Sequence, residues 1–478
     1  MFVVLADLEQ HTVERGSAIA LALPGREWSF IELRASVDAV AMRLRREGIQ
    51  PRHVVGLDLP SAVEWIVDLA LMRLAARSVS LRGVPQLGGL ELDALVEAPG
   101  GRRGLAPLAL QVDELWISSA AKAASDPVPA VDYPRPDSIF RLMLTSGTTG
   151  LPRVAAYSVG ALERRRERLA DYWSDGRREL NLMPLSTTGG LHTAVANLQH
   201  GQTHLAVDFI NETTMRFAAE RRVQVLCGSP AQIATALRVL AETGLHLPDL
   251  EEVRMAGATP SETLLRLIAD RFDVPVHSVY GSTEGGGVTA RVLRPGDDLS
   301  DVGAPIQGLE LQVIDSAGVP VPTGTEGQVR YRGPAMTSGY FERGQVSAFR
   351  RGWFEPGDVG VMSPAGSLVL NGRTSEIINV AGQKINPSVV DAIVLEFAGV
   401  TDAAAFGLER LNGIAELGLA VVTTADCNLR ALDKMLRARL ASGYPTTFWN
   451  VDEIPRNRMG KPERATLSET FARTLAAG

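Results

Sequence analysis

Two serines near the beginning of the chain mark helix starts on either side of a short apolar segment, and this alternation restricts the chain to layered folds. Ser29 and Ser61 are each followed three residues later by a glutamate, Glu32 and Glu64. That spacing predicts two capping boxes, in which serine and glutamate satisfy free N–H groups of the first helical turn. Residues 54–59 between them are mostly apolar and predict a buried strand. Helices that alternate with short strands pack as α/β layers.

The length of the chain requires more than one core. Its 478 residues exceed the ~250–300 that a single hydrophobic core normally serves, so we expect at least two domains. Residues 99–136 are rich in loop-forming residues and predict a connection between subdomains. From residue 305 onward, short strands punctuated by glycine and proline predict a β-rich subdomain.

The tail predicts a separate small unit. Residues 417–422 are apolar and predict a strand, and Asn428 predicts the cap of an amphipathic helix. We therefore predict an α/β protein with a large N-terminal domain at 1–372, built of layered α/β subdomains and the β-rich part. A small, mobile α+β domain is predicted at 373–478.

The charge balance gives no reason to propose nucleic acid or an anionic membrane as a partner, because the formal net charge is −7 at pH 7. The most basic run, arginines 164–166, is flanked by glutamates and predicts a solvated helix face. Cys227 and Cys427 are too few for a disulfide framework, and no apolar run reaches the ~18 residues of a membrane helix. Without a secretory signal in the first ten residues, we expect a reducing, cytoplasmic setting.

The most informative stretch is LTSGTTGLPR at residues 144–153. An apolar strand leads there into a loop of hydroxyl residues and glycines, which is followed by proline and Arg153. Glycines let backbone N–H groups turn toward an anion and arginine adds charge, so the stretch predicts a phosphate cradle. It is not the P-loop of nucleotide hydrolases, because Gly147 and Gly150 are only three residues apart. The alternative is a polar surface loop.

A second cluster is YGSTEGGG at residues 280–287. The ring of Tyr280 can lie on a purine, and a hydroxyl, of Ser282 or Thr283, can reach a phosphate. The carboxylate of Glu284 can hold Mg²⁺, which typically takes one or two carboxylates together with phosphate oxygens and water. The alternative is a glycine turn with a solvated glutamate.

Three weaker clusters follow in order. Asp358 ends a glycine-containing turn and can accept both hydroxyls of a ribose, although aspartate is common in such turns. Residues 371–376 and 380–387 form the fourth cluster. In the fifth, Lys461 follows a glycine and is a mobile point charge that can meet phosphate. A solvated surface lysine is the alternative.

In this order and spacing, the five clusters resemble those of the adenylate-forming superfamily, the AMP-dependent synthetases and ligases. That superfamily includes acyl- and aryl-CoA synthetases, adenylation domains of peptide synthetases and luciferase-like enzymes. The resemblance extends from about residue 14 to the Lys461 loop. It implies a large AMP-binding domain and a small C-terminal lid that carries the catalytic lysine. It also implies ATP, Mg²⁺ and CoA as cofactors and a carboxylic acid as substrate.

The resemblance implies roles for the matching positions. The catalytic residues are Lys461, Thr283, Glu284 and Arg373, with Glu284 also the metal ligand. The ATP and AMP site comprises Thr145, Ser146, Gly147, Thr148, Thr149, Gly150, Arg153, Gly257, Ala258, Tyr280, Gly281, Ser282 and Asp358. The substrate pocket comprises Ser186, Thr187, Gly190, His192, Gly228, Ser229, Gly285 and Gly286. Gly382 lines a CoA tunnel, and Ser375 is the lid hinge.

The implied reaction has two steps. The acid attacks the α-phosphorus in line and pyrophosphate leaves, a step that depends mostly on positioning and electrostatic stabilisation. The lid then rotates, Lys461 withdraws, and the CoA thiolate attacks the acyl-adenylate.

Several positions depart from the family pattern. The phosphate loop usually ends Pro-Lys-Gly, whereas here Arg153 changes the cation geometry and the next residue is a valine, which disfavours positive φ. Ser375 replaces the usual aspartate or lysine of the hinge. Ser186 and Thr187 replace an aromatic residue and a histidine. His192 is a candidate substitute for that histidine, and a structural role for it is the alternative.

The pocket residues indicate the kind of acid. Most of them are small, which leaves room for a bulky apolar acid. No acidic residue lies between Met183 and Gln199, and a buried unpaired ammonium would be costly, so we do not expect an amino acid.

An acid–CoA ligase is the leading interpretation. The second is an adenylating enzyme that loads an acyl carrier protein or an amine. The third is a non-catalytic AMP-binding regulatory protein, which the departures at Arg153, Val154 and Ser375 motivate. Nothing in the sequence favours a luciferase-like oxidase.

Overall fold

A computed structural model describes residues 2–82, 87–101, 104–123, 135–145, 153–172, 177–342, 345–347, 349–373, 378–380, 383–409, 415–425, 427–439, 447–456 and 461–477. Within this part the α-helices are α1 (Val3–Arg15), α2 (Phe30–Arg46), α3 (Ser61–Arg73), α4 (Glu114–Ala123), α5 (Val159–Tyr172), α6 (Thr188–Gln199), α7 (Glu212–Glu220), α8 (Pro230–Thr243), α9 (Glu262–Phe272), α10 (Pro387–Leu395), α11 (Leu429–Arg439) and α12 (Arg464–Ala477). The strands are β1 (Ile19–Leu23), β2 (Arg26–Ser29), β3 (Val54–Asp58), β4 (Arg77–Ser80), β5 (Ala94–Glu97), β6 (Leu108–Gln111), β7 (Ile139–Thr145), β8 (Arg153–Ser158), β9 (Glu179–Asn181), β10 (His204–Leu205), β11 (Val225–Gly228), β12 (Glu252–Ala256), β13 (Val276–Ser282), β14 (Gly286–Leu293), β15 (Asp301–Pro305), β16 (Glu310–Ile314), β17 (Gly327–Arg332), β18 (Gly339–Glu342), β19 (Gln345–Ser347), β20 (Asp358–Met362), β21 (Leu368–Arg373), β22 (Ile378–Val380), β23 (Gln383–Ile385), β24 (Val400–Glu409), β25 (Ala415–Thr423) and β26 (Thr447–Asn450).

Two large sheets contain 18 of the 26 described strands. One has eight strands in the order β19-β18-β8-β7-β4-β3-β5-β6, and the other has ten in the order β16-β17-β20-β21-β15-β14-β13-β12-β11-β9. Strands β7, β4, β3, β5 and β6 run parallel in the first sheet, and β9, β11, β12 and β13 run parallel in the second. Helices α2 and α3 share one apolar core with the first sheet, and α8 and α9 share another with the second. The predicted layered α/β architecture is confirmed.

The predicted β-rich part is also confirmed, since the strands from β14 to β21 in the ten-stranded sheet pair antiparallel. Beyond them, β24, β25 and β26 form a separate three-stranded sheet. Helices α10 and α11 bury Val390, Val394, Leu432 and Leu436 in one core with it. Asn428 caps α11 by accepting a hydrogen bond from the Ala431 N–H at 3.1 Å. The division after residue 372 stays a prediction.

Of the two predicted capping boxes, one forms. Ser29 Oγ accepts from the Glu32 N–H at 3.3 Å, and Glu32 Oε2 accepts from the Ser29 N–H at 2.8 Å. The box at Ser61 is wrong, because its Oγ donates to Asp208 Oδ1 at 2.7 Å and Glu64 lies buried beside Arg141 at 3.3 Å. Tertiary partners have replaced the local ones.

The predicted connection at 99–136 is partly wrong. β6 adds a parallel strand to the edge of the eight-stranded sheet, and α4 packs on α2, where Arg43 lies 4.1 Å from the centre of the Trp116 ring. Residues 104–123 therefore belong to the first α/β layer. Among the described residues, no helix is both long and apolar enough to cross a membrane.

Candidate active site

Four predicted site segments converge at one end of the ten-stranded sheet. The parallel strands β9, β11, β12 and β13 end at Asn181, Gly228, Ala256 and Ser282. They are neighbours in the sheet, so the residues that follow them lie side by side. Those residues begin the segments predicted for the acid pocket, the adenine site and the metal ligand. Ligands of open α/β sheets bind at the carboxyl ends of such strands.

The hairpin of β13 and β14 presents the predicted metal and phosphate ligands. Ser282 Oγ accepts from the Gly285 N–H at 3.0 Å and closes the turn that carries Thr283 and Glu284. At Gly281, a Cβ would lie 1.9 Å from the Gly286 carbonyl oxygen, so only glycine allows the two strands to approach this closely.

Glu284 is held by groups outside its own turn. Its side chain is buried, and its Oε1 accepts from the Tyr340 hydroxyl at 2.7 Å. Burial, and then the charge of Glu284, raise the pKa of Tyr340, so the hydroxyl stays a donor at neutral pH. A carboxylate is the hard oxygen ligand that Mg²⁺ takes together with phosphate oxygens. The residue therefore fits the metal predicted here.

Asp358 contacts two other predicted site residues, Tyr280 and Arg373. It begins β20 directly opposite Arg373 on β21, and its Oδ1 accepts from Arg373 Nε at 2.7 Å. Its Oδ2 accepts a hydrogen bond from the Tyr280 hydroxyl. Burial, and secondly the Asp358 charge, raise the pKa of Tyr280 well above its ordinary value, so the phenol remains protonated. The carboxylate is thus oriented from two sides.

The strands that flank the predicted phosphate loop lead to the same place. Thr145 at the end of β7 lies opposite Arg153 at the start of β8. The guanidinium carbon of Arg153 lies 3.4 Å from the centre of the Tyr340 ring, whose hydroxyl holds Glu284. Arg153, the predicted phosphate-binding cation, and Glu284, the predicted metal ligand, therefore contact the same aromatic residue, Tyr340. Residues 146–150 lie outside the described part of the chain.

The predicted pocket residues include several with local structural contacts. Thr187 Oγ1 accepts from the Gly190 N–H at 3.1 Å and caps α6. A Cβ at Gly190 would lie 2.1 Å from the Pro184 carbonyl oxygen, so this position requires glycine. Ser229 is fully buried and caps α8 in a capping box with Gln232. Gly257, which precedes Ala258, has a φ of 92°. Their contacts with an acid or a nucleotide stay predictions.

His192 is buried on α6, and its Nε2 lies 3.1 Å from Arg165 Nη1. Because arginine only donates, Nε2 must accept, and the proton of the neutral ring sits on Nδ1. Burial, and then the charge of Arg165, hold the pKa of His192 well below its usual 6.5. His192 is therefore neutral at pH 7 and accepts a hydrogen bond from Arg165.

The burial of Arg165 shows that the predicted solvated basic face on α5 is wrong. Only Arg164 of the three arginines is exposed, with 59% of its side chain accessible, whereas Arg165 is 1% exposed and Arg166 is 9%. Arg165 donates to the carbonyl oxygens of Glu284, at 3.2 Å, and Ala335. The spacing in the sequence could have indicated this burial. Arg165 lies three residues after the buried Leu162 and therefore shares its helix face.

A second buried arginine was also missed. Arg141 on β7 is fully buried and forms ion pairs with Asp68 at 3.1 Å and Glu64 at 3.3 Å. Its Nη2 also donates to the Leu185 carbonyl at 2.9 Å, in the segment predicted to hold the acid. Burial raises the pKa of Glu64 to about 7, against the opposing charge of Arg141.

Of the three residues predicted for the lid, its hinge and the CoA tunnel, only Lys461 lies in the described part of the chain. Lys461 is half-buried in the C-terminal unit, next to Pro462, whose backbone pairs with Arg456. Ser375 and Gly382 lie outside the described residues. The catalytic, hinge and tunnel roles of these three stay predictions.

The fold and the grouping of the residues predicted to bind a nucleotide are those expected of an adenylate-forming protein. Residues 8–341 match the AMP-binding enzyme family, and the chain belongs to that family.

Two relatives show the range of that similarity. The chain is 26% identical to a naringenin synthase from Pestalotiopsis fici over 98% of its own length, and it spans 19% of that protein. It is 27% identical to a 2-succinylbenzoate–CoA ligase from Geobacillus kaustophilus, and the match covers 98% of each chain.

The fold is shared with solved structures. The crystal structure of ATP-bound MatB from Rhodopseudomonas palustris matches with a TM-score of 0.86 and 23% identity, over 98% of this chain and 99% of the other. At that identity, the likeness shows the fold alone.

Proposed function

We propose that this protein is an ATP-dependent acid–CoA ligase. It forms an acyl-adenylate with release of pyrophosphate and then transfers the acyl group to CoA. The observation that carries the proposal is the bonded cluster of Tyr280, Asp358 and Arg373, with Glu284 on the same hairpin as Tyr280, beside the carboxyl ends of parallel strands. The full-length match to a CoA ligase supports the choice of CoA as acceptor.

Each of these residues has a separate role in the adenylation step. Asp358, oriented by Arg373 and Tyr280, accepts the ribose hydroxyls, and Glu284 holds the metal. Mg²⁺, when bound, neutralises charge on the phosphate oxygens. Lys461 brings a positive charge to the attacking carboxylate and the α-phosphate, where charge develops in the transition state.

The acid is proposed to be bulky and apolar or aromatic. Most of the predicted pocket residues are small, among them Ser186, Thr187 and Ser229, and small side chains leave room for such an acid. A 2-succinylbenzoate–CoA ligase, which is named for an aromatic acid, matches over nearly the full length of both chains and supports this class.

The test is pyrophosphate release with ATP and Mg²⁺ across aliphatic, aromatic and polycyclic acids, with and without CoA. Lys461→Ala should slow acid-dependent release by about 10²–10³, by analogy with loss of one oxyanion donor. Lys434→Ala, an exposed lysine on α11, is the matched control and should retain wild-type rates.

The products separate the alternatives. Acyl-CoA detected by mass spectrometry supports the ligase, and turnover that stops at acyl-adenylate supports a carrier-protein or amine acceptor. ATP or AMP binding without pyrophosphate release from any acid supports the non-catalytic regulatory protein.

A further inference from the structure

We propose that Arg165 and Tyr157 are positioning residues that lock the backbone on both sides of Glu284. This rests on the proposed function, in which Glu284 holds the metal of the adenylation site. Neither residue belongs to the five sequence clusters, and both lie behind the turn that presents Thr283 and Glu284.

The lock acts on two consecutive peptide groups. The Tyr157 hydroxyl donates to the Thr283 carbonyl oxygen at 2.7 Å, and Arg165 Nη2 donates to the Glu284 carbonyl oxygen at 3.2 Å. The Thr337 N–H donates to the Glu284 carbonyl as well, at 2.8 Å. Because peptide groups are planar, only φ and ψ relate the two planes that meet at a Cα. Holding both planes therefore sets the direction in which the Glu284 side chain leaves the backbone.

Arg165 connects the lock to the surrounding elements. Its Nη1 donates to the Tyr157 hydroxyl and lies 3.1 Å from His192 Nε2, and its Nε donates to the Ala335 carbonyl. Its guanidinium carbon lies 4.4 Å from the centre of the Tyr157 ring. A Cβ at Gly286 would lie 3.1 Å from that carbon, so the glycine allows the turn to approach the cation. Four segments thus converge on one planar group.

The charge of Arg165 also suits an anion site. Within the described part of the chain, its hydrogen-bond acceptors are two carbonyls, a hydroxyl and an imidazole, and no carboxylate forms an ion pair with it. Buried charges are usually paired. A cation placed behind Glu284 without a carboxylate of its own leaves positive potential where phosphates and an acid would gather.

The experiment measures the Mg²⁺ dependence of ATP binding by calorimetry, alongside acid-dependent pyrophosphate release. Arg165→Met and Tyr157→Phe should each raise the Mg²⁺ concentration at half-saturation by about 10–100-fold, the usual effect of losing a group that orients a metal ligand. In Tyr157→Phe, binding of ATP without Mg²⁺ and the KM for the acid should change little, whereas Arg165→Met also removes a positive charge and should weaken the binding of both. Arg166→Met is the control, since Arg166 is the next residue on α5 but pairs with Asp7.

Two further variants separate positioning from charge. Arg165→Lys keeps the charge but not the planar set of donors, so it should restore little of the Mg²⁺ affinity. The double variant Arg165→Met/Tyr157→Phe should lose no more than about threefold beyond the worse single variant, because residues in one network are not additive.

The outcomes are distinguishable. Wild-type Mg²⁺ dependence in both single variants, or full restoration by Arg165→Lys, would overturn the lock. If Arg165→Met does not fold, the near-isosteric Tyr157→Phe decides alone. If the wild type releases no pyrophosphate with any acid, the proposed function fails, and the binding measurement still tests the lock. Absence of Mg²⁺-dependent ATP binding in the wild type would overturn both.

Discussion

Arg373 Nε donates to Asp358 Oδ1 across 2.7 Å, between residues that lie opposite each other on β20 and β21. Asp358 is 3% exposed and the Arg373 side chain is 30% exposed, so the carboxylate is the buried partner of a half-buried charge pair. Because its second oxygen accepts from Tyr280, the carboxylate has one fixed orientation. Ribose hydroxyls would meet an acceptor that needs no rearrangement on binding.

Asp358→Asn should weaken ATP binding. The change keeps the shape of the side chain but removes charged hydrogen bonds, which are worth about 1.5–3 kcal/mol each, so the KM for ATP should rise about 10–100-fold. The KM for the acid should change little, as measured by pyrophosphate release. Glu396→Gln, which breaks an exposed ion pair with Arg439, is the control. Equal increases in both KM values would count against a ribose role.

Glu284→Gln should slow pyrophosphate release more than Tyr340→Phe does. The first removes the metal-binding charge and should slow pyrophosphate release by about 10²–10³. The second leaves the carboxylate but removes the donor to its Oε1, and should slow release by about 10-fold. Raising the Mg²⁺ concentration should rescue Tyr340→Phe and not Glu284→Gln. The reverse order of rescue would exclude Glu284 as the metal ligand.

Gly281→Ala should damage the turn that presents Glu284. The added Cβ would lie 1.9 Å from the Gly286 carbonyl oxygen, and overpacking of this kind costs about 1–3 kcal/mol. We expect a lower melting temperature together with loss of pyrophosphate release. At Gly333 the nearest atom would lie 3.4 Å from an added Cβ, so Gly333→Ala should leave both unchanged. A Gly281→Ala protein with wild-type melting and rate would contradict the described hairpin geometry.

Stability should fall between pH 5 and 8 because of Glu64. Burial raises the pKa of this carboxyl from 4.5 to about 7, so the folded chain binds the proton more tightly than the unfolded chain. That stabilisation is complete below the unfolded pKa and is lost as pH rises through about 7. At 1.36 kcal/mol per pKa unit, the change is on the order of 2–3 kcal/mol. Urea-unfolding midpoints measured across this pH range give the slope.

Glu64→Gln should flatten that slope, since the amide does not titrate. Glu32→Gln is the control, because hydrogen bonds from Ser29 lower the pKa of Glu32 below 4.5 and any pH effect of this group lies below the tested range. A slope between pH 5 and 8 that persists in Glu64→Gln would assign it to another group.

The sequence predicted those parts of the site that follow from local chemistry and order. The glycine turn considered for residues 280–287 is present at Thr283 and Glu284, but Glu284 is buried and not solvated. The family resemblance placed Asp358 and Arg373 in one site, but it did not predict the ion pair between them. Which strands pair depends on contacts between distant residues, which a single sequence does not reveal.

The errors at Ser61 and on α5 have one physical origin. Ser61 and Glu64 have the spacing of a capping box, yet Arg141, 77 residues away, binds Glu64. The arginines of α5 were predicted to face water because charged residues usually do, yet Arg165 lies on the face that carries Leu162. In both cases a buried arginine outweighs the local preference, because its charge must be satisfied wherever the fold places it.

Arg141 has a consequence for redesign of this protein. Its guanidinium holds the Leu185 carbonyl, while its own backbone lies in β7, whose last residue, Thr145, begins the predicted nucleotide loop. Exchange of the loop at 183–190 is a direct route to a new acid preference. It would also remove the Leu185 carbonyl that accepts from the buried Arg141, whose strand leads into the predicted nucleotide loop. Grafts that keep an inward-facing carbonyl at position 185 should retain ATP affinity, whereas grafts of another length should lose it whatever acid they fit.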